Sequence, residues 1–354
     1  MQTVDLRSFA GPGELEELGK GGEGQVFAIR RIQDKVYKEF LSAASTIPGR
    51  PALEHLIELR SKWSPEETQW LSMRTVWPEV VVLDGSRMRG FLMPKIAPQY
   101  FRRHGIRSNP KTVPCEWNLL SMRTRYRGNP NITTTVPEIS NYDALVLVHD
   151  LAKTVAMLHR HDVIIGDMSG RNLLWTDTPK PHVLVIDCDS FRVSGSSGVA
   201  SPKQSPDWDD PHLNGAATSQ ESDVYKLGLA AYRAVWAATT DRPDALKRDQ
   251  MRRLDGIPAE LSDLITRSVG PSDRPSADEW VRTLDRSVAF RGRPAVSMSG
   301  SANSGVDAAR TPRPVATPAP APKGAGTTIG SGPIRRPDRP VIKMPPVPRP
   351  SDSA

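Results

Sequence analysis

VIIGDMSGRNLLWTDTPKPHVLVIDCDSF, residues 163–191, carries two short apolar runs, NLLW and VLVID, on either side of a polar turn. Runs of this length bounded by turn residues predict two strands. Oxygen-bearing side chains stand at their edges: Asp167 and Asn172, five residues apart, lead into the first run, and Asp187 ends the second. A single Asp in a loop is ordinarily solvated or caps a helix. Three such groups in this order, framed by strands, point instead to a site. Immediately upstream, DALVLVHDLAKTVAMLHRHD, residues 143–162, predicts a long amphipathic helix.

Nearer the start, LGKGGEGQVFAI, residues 18–29, spaces Gly19, Gly21 and Gly24 as G-x-G-x-x-G, a pattern whose backbone amides close around a phosphate. In a dinucleotide-binding fold such glycines lead from a strand into a helix. Here they lead into QVFAI, whose Val26, Phe27 and Ile29 favour a strand, so the loop is expected to join two strands. DKVYKEF, residues 34–40, supplies the next strand and carries Lys38. PALEHLIELRSKW, residues 51–63, has Leu53, Leu56 and Ile57 at helical spacing and a proline at its start. EVVVLDGSRMRGFLMPKI, residues 79–96, reads as a hairpin turning at Asp84-Gly85 and closed by Pro94. Beyond residue 220 the pattern is helical almost to 290. Strands first and helices afterwards predict an α+β protein in two lobes.

In order and spacing these segments resemble the protein kinase superfamily. There, a glycine flap between antiparallel strands covers the ATP phosphates, a lysine on the following strand contacts them, and an Asp, an Asn five residues on and a later Asp form one site. Phosphoryl transfer needs an acceptor hydroxyl held in line with the γ-phosphate, and cations to neutralise its oxygens. Hard oxygen ligands suit magnesium. The resemblance implies a bilobal kinase-like fold, with a small antiparallel β N-lobe over residues 1–96 and a mainly helical C-lobe over 97–290, using ATP and Mg2+. It implies Asp167 as the base-like residue, Asn172 and Asp187 as metal ligands, Lys38 as the phosphate contact, Gly19, Gly21 and Gly24 as the flap, and Val26 beside the nucleotide. Arg171 joins the catalytic loop. Glu54 is expected to pair with Lys38, with Glu58 as the competitor. Asp189 is expected to add a carboxylate for a second metal, or to be exposed.

The chain departs from the family at two motifs. Ile165-Gly166 stands where His-Arg precedes the catalytic Asp, so activation-loop phosphorylation is expected to matter little. Asp187-Cys188-Asp189 stands where the family has Asp-Phe-Gly. The core motif is equally similar to aminoglycoside and choline phosphotransferases. SPDWDDP (205–211), SDVYKLG (222–228) and RPSADEW (274–280) resemble the later segments of protein kinases, with Asp223 bonding the catalytic-loop backbone and Arg274 as the paired arginine. His212 replaces that arginine's usual glutamate, leaving Asp209 or Asp210 to substitute. The whole is most similar to divergent bacterial protein kinases, and three readings follow: an active kinase, by preference for Ser/Thr, acting on a protein substrate; an ATP-binding pseudokinase scaffold; or a small-molecule phosphotransferase. Ser169 stands where Ser/Thr kinases carry a lysine, whereas Arg171 resembles the Arg-Asn of tyrosine kinases.

The net charge of +7 does not by itself imply nucleic-acid binding. From Arg291 onward there are ten Lys/Arg and three acids, so the whole excess lies in the tail and residues 1–290 are neutral. That tail, 291–354, is proline-rich and holds no aromatic residue, which predicts disorder and either an inert linker or terminus or a ligand for a proline-recognition domain or an acidic surface. A second basic stretch, 101–130, reads as a solvated face or a site for an acidic or nucleic-acid partner. Two cysteines, Cys115 and Cys188, exclude a disulfide framework or a four-cysteine zinc site. No run approaches the roughly 18 apolar residues of a membrane span, and no signal-like layout opens the chain, so a cytoplasmic location is expected.

Overall fold

A computed structural model describes residues 3–22, 24–41, 49–195, 205–213, 217–238 and 257–291, all within one unit of the chain, Met1–Val296. The expected tail beyond Arg291 lies outside the described residues. The first strands are β1 (Thr3–Asp5), β2 (Leu15–Lys20), β3 (Gly24–Ile29) and β4 (Ile32–Phe40), followed by helices α1 (Arg50–Leu59) and α2 (Pro65–Arg74) and strands β5 (Val80–Asp84) and β6 (Arg87–Pro94). They build one six-stranded sheet in the order β1-β5-β6-β4-β3-β2. β1 runs parallel to β5, and the other pairings are antiparallel.

Alternation along these strands sorts their side chains onto two faces. Tyr37, Val82 and Leu92 join Phe9 and Ile29 in one apolar cluster. Their chain neighbours Val81 and Phe91 join Phe40 and Leu53 of α1 in another. Residues directly opposite in a ladder share a face, so the pairs Val26–Lys38, Lys38–Phe91 and Val81–Phe91 put Val26 and Lys38 on the α1 side of the sheet. The β5–β6 turn is Gly85-Ser86, one residue later than expected, because Asp84 still pairs with Arg87. Gly85 supplies the positive φ, +62°, that a two-residue hairpin requires at its first position.

The chain continues through β7 (Phe101–Ile106), β8 (Lys111–Pro114), the short helices α3 (Trp117–Ser121) and α4 (Arg123–Tyr126), and β9 (Ile132–Thr134). The basic stretch therefore forms a three-stranded sheet, ordered β8-β7-β9. Helix α5 (Asn141–Arg160) follows, then β10 (Val163–Ile164), β11 (Leu173–Thr176), β12 (His182–Val185), β13 (Arg192–Val193) and helices α6 (Gln220–Val235), α7 (Ala259–Ser268) and α8 (Ala277–Arg291). Ser140 and Asp143 close a reciprocal capping box at the start of α5. Helix α6 is buried along nearly its whole length. It packs between α5 and α7 in a large core that includes Trp117, Trp175 and Trp280. Arg74 of α2 makes a two-pronged ion pair with Asp150 of α5, and that carboxylate also accepts from the Val183 N–H of β12 at 2.9 Å. A β-rich N-terminal region followed by a helical one is the expected kinase-like, bilobal α+β arrangement.

Candidate active site

The hairpin β11–β12 brings the chemistry-bearing residues of the opening motif together. Its register pairs Leu173 with Val185, and the Ile186 N–H donates to the Asn172 carbonyl at 2.9 Å. Asn172 and Asp187 therefore emerge at the same end of the hairpin. The Asn172 side-chain amide donates to the Asp167 carbonyl at 2.9 Å and to its carboxylate at 3.1 Å, closing the segment 167–172 on itself. Asp187 takes a left-handed backbone, φ +57°, which Asp tolerates better than most residues.

Lys38 reaches this cluster from the sheet. Its ammonium lies 3.2 Å from Asp187 Oδ1 and 2.8 and 2.9 Å from the two oxygens of Asp189. The side chains of Lys38 and Asp189 are 6% and 4% exposed, whereas that of Asp187 is 49% exposed. Burial opposes the charge on Lys38, but Asp189 and then Asp187 outweigh it and push its pKa up. Lys38, Asp167, Asn172, Asp187 and Asp189 thus meet in one place, although Lys38 lies 149 residues before Asp187 in the chain.

Two expectations are corrected by this geometry. Glu54 does not reach Lys38: it pairs with Arg50 on its own helix at 2.6 Å. The inward positions of α1 are taken by Leu53 and Leu56, and three carboxylate oxygens already occupy the lysine's three donors. The competitor Glu58 is exposed. Asp189 is buried rather than exposed, and both its oxygens accept from Lys38.

The glycines lie where a strand-to-strand loop requires them. Gly19 pairs with Val26 across β2–β3, and the Gly21 N–H donates to the Gly24 carbonyl at 2.8 Å. A Cβ on Gly24 would meet the Glu39 carbonyl at 2.8 Å and the Lys38 side chain at 3.2 Å, so the third glycine lets β3 lie against the lysine. Gly90 of β6 does the same from the other side, where a Cβ would sit 1.9 Å from the Lys38 carbonyl oxygen.

Beneath the loop, Asp223 accepts from the backbone N–H groups of Ile165 and Gly166 at 2.7 and 2.9 Å, as the sequence suggested. Gly166, at φ +72°, takes a backbone that an L side chain rarely adopts. Lys226, one turn along α6 from Asp223, is buried and donates to the Gly166 carbonyl. Sequence reading passed over Lys226, yet a lysine three residues from Asp223, on the same side of the helix, was its signal. The Ser205 hydroxyl donates to Asp167 Oδ1 at 2.9 Å. Burial raises the Asp167 pKa above the ordinary carboxylate value, and the Ser205 hydrogen bond pulls it partly back. Beside them a pocket of about 370 Å³ is lined by Ser169, Gly170, Arg171, Ser205 and Trp208, so Arg171 faces this pocket. Arg274 makes its ion pair with Asp210, at 2.5 and 2.9 Å, which selects between the two acids left open. Ser196, Ser197 and Ser201, which the serine-rich sequence between Asp187 and Pro211 offers for autophosphorylation, lie outside the described residues.

The residues present fit a divalent cation that arrives with a nucleotide. The side-chain carbonyl of Asn172 and the carboxylate of Asp187 are hard oxygen donors on neighbouring chain ends, and magnesium takes its remaining ligands from phosphate and water. Among the described residues, no three His, Cys, Asp or Glu side chains form a self-sufficient metal centre. No described helix is long and apolar enough to cross a membrane.

No family model matches the chain. Two curated proteins are similar to it, both named Protein kinase YegI. The one from Escherichia coli K12 is 26% identical over 205 residues, covering 54% of this chain and 26% of the relative. The one from Escherichia coli O157:H7 is 27% identical over 188 residues, covering 51% of this chain and 23% of the relative. The matched stretch is about a quarter of each relative's length. This similarity and the fold agree on a kinase-like relationship.

Proposed function

We propose that the chain is an ATP- and Mg2+-dependent protein kinase that transfers the γ-phosphate to Ser or Thr hydroxyls of a protein substrate. The observation that carries this reading is the meeting of Lys38, Asp187, Asn172 and Asp167 at one end of hairpin β11–β12. Asn172 and Asp187 would hold magnesium, which when bound neutralises charge on the phosphate oxygens. Lys38 offers a fixed positive charge to the phosphates from beneath the glycine loop. Asp167 accepts the acceptor hydroxyl and orients it for in-line attack, the larger part of the catalysis being positioning and electrostatics.

The Ser205 contact supports the choice of acceptor. A serine hydroxyl already reaches Asp167 at 2.9 Å, so a short aliphatic alcohol fits between this carboxylate and the adjoining pocket. The Asp223 and Arg274 anchors also give the segments after residue 205 a role that a small-molecule phosphotransferase would not need.

Incubation with radiolabelled ATP and magnesium, beside Asp167→Ala, tests the reading. Incorporation of label by the native chain and its loss in the variant are expected. Equal labelling of both rules out this mechanism, and nucleotide binding with no turnover assigns the chain to the scaffold reading instead.

A further inference from the structure

We infer that Asp189 performs the positioning work that the family resemblance assigns to a helix glutamate: it is the counter-ion that holds the Lys38 ammonium in the cleft, and Glu54 has no part in it. The functional consequence rests on the kinase reading; the geometry does not. Lys38 has three N–H donors, and Asp187 Oδ1 and the two oxygens of Asp189 account for all three, at 3.2, 2.8 and 2.9 Å. Asp189 is the nearer partner, the two-oxygen partner and the buried one. Taking its oxygens off the lysine would leave a buried, unpaired carboxylate, which is strongly unfavourable.

The turn that carries Asp189 is built to stay in place. Cys188 and Phe191 on either side are buried, and the Phe191 ring packs edge-on against Trp77 with centroids 5.6 Å apart. The Phe191 N–H closes the turn on the Cys188 carbonyl at 3.1 Å, and the Ser190 hydroxyl donates to the Asp187 carbonyl at 2.8 Å. The lysine's counter-ion and the metal-facing Asp187 therefore ride on one rigid turn. A carboxylate on a helix can withdraw with that helix; here the position of Lys38 is independent of α1. Asp189 is a positioning residue, acting on phosphate through Lys38.

A double-mutant cycle on the full chain tests the pair without reference to activity. Lys38→Met and Asp189→Asn should each lower the thermal midpoint by roughly 5 °C, since each takes from a buried charge its main buried partner, and the double variant should lose clearly less than the two together. Lys38→Met with Glu54→Gln should be additive. In steady-state kinetics, Asp189→Asn should raise KM for ATP about tenfold while Glu54→Gln leaves it within about twofold. Coupling of Lys38 to Glu54, with additivity toward Asp189, overturns the inference. If Asp189→Asn fails to fold, the double variant decides: folded supports the pair, unfolded overturns it. Intact coupling in a chain that never turns over ATP removes the kinase reading and leaves the pair standing. Turnover that survives Asp189→Asn but not Glu54→Gln does the reverse.

Discussion

The carboxylate of Asp223, fully buried in α6, accepts the backbone N–H of Gly166 at 2.9 Å, one residue before Asp167. A helix residue 57 positions from Gly166 thus sets the backbone from which the Asp167 carboxylate projects. The same carboxylate takes the Ile165 N–H at 2.7 Å and the His159 ring at 3.1 Å, so it satisfies three donors.

Asp223→Ala leaves two backbone N–H groups buried and unpaired, at about 1–3 kcal/mol each. The expected loss is about 2–5 kcal/mol, seen as a lower urea midpoint with the slope unchanged. Asp223→Asn, which keeps one acceptor oxygen, should fall between the native chain and the alanine variant. An alanine variant as stable as the native chain would show that the loop is held by other contacts.

Arg274 and Asp210 form a two-pronged pair with side chains 6% and 2% exposed. Removing either charge strands the other, so Arg274→Met and Asp210→Asn should each cost about 3–5 kcal/mol. The double variant should recover much of that loss, because the remaining cost is packing rather than an uncompensated charge. Simple additivity in denaturant midpoints would contradict the pairing.

The Asp167 pKa bears on the acid limb of the rate profile. Burial raises it, so the carboxyl keeps its proton at a pH where an ordinary Asp, at about 3.9, has lost it. As the proposed base, Asp167 must be unprotonated to work; the proposed activity should therefore fall with decreasing pH already above that ordinary value. The Ser205 hydroxyl favours the charged form, so Ser205→Ala should move the limb to still higher pH. A limb in the variant that is unmoved, or that shifts downward, would remove Ser205 from control of Asp167.

Gly90→Ala places a Cβ 1.9 Å from the Lys38 carbonyl oxygen, so β6 must draw away from β4. A destabilisation of about 2 kcal/mol or more is expected, together with weaker ATP binding as Lys38 shifts. Gly19→Ala is the control. Nothing lies within 4 Å of its Cβ, and its stability should change by less than about 1 kcal/mol. Calorimetry on the two variants separates close approach from generic glycine effects.

The extent to which the sequence was legible follows the range of the forces involved. Periodicity and turn chemistry act over a few residues, and they located β3 and β4, the β5–β6 hairpin to within one residue, α5, and β11–β12. The three-stranded sheet at 101–134 was not legible. Its strands FRRHGI, KTVP and ITT lack clean alternation, and β9 pairs with β7 across some thirty residues, a contact that no local pattern announces. Ser205 looked like any loop serine until the fold set its hydroxyl against Asp167.

By itself the sequence determined the order of elements, the two-part α+β character, and which acids and amides stand at strand ends, because backbone sterics and apolar spacing are written locally. Which charge meets which was decided only by the tertiary structure. Lys38 lies 151 residues from Asp189, and the family resemblance pointed instead to Glu54, 16 residues from the lysine. Electrostatic pairing depends on distance in space and on exclusion of water. Both were settled when the Cys188–Phe191 turn packed against Trp77 and delivered a buried carboxylate to the lysine.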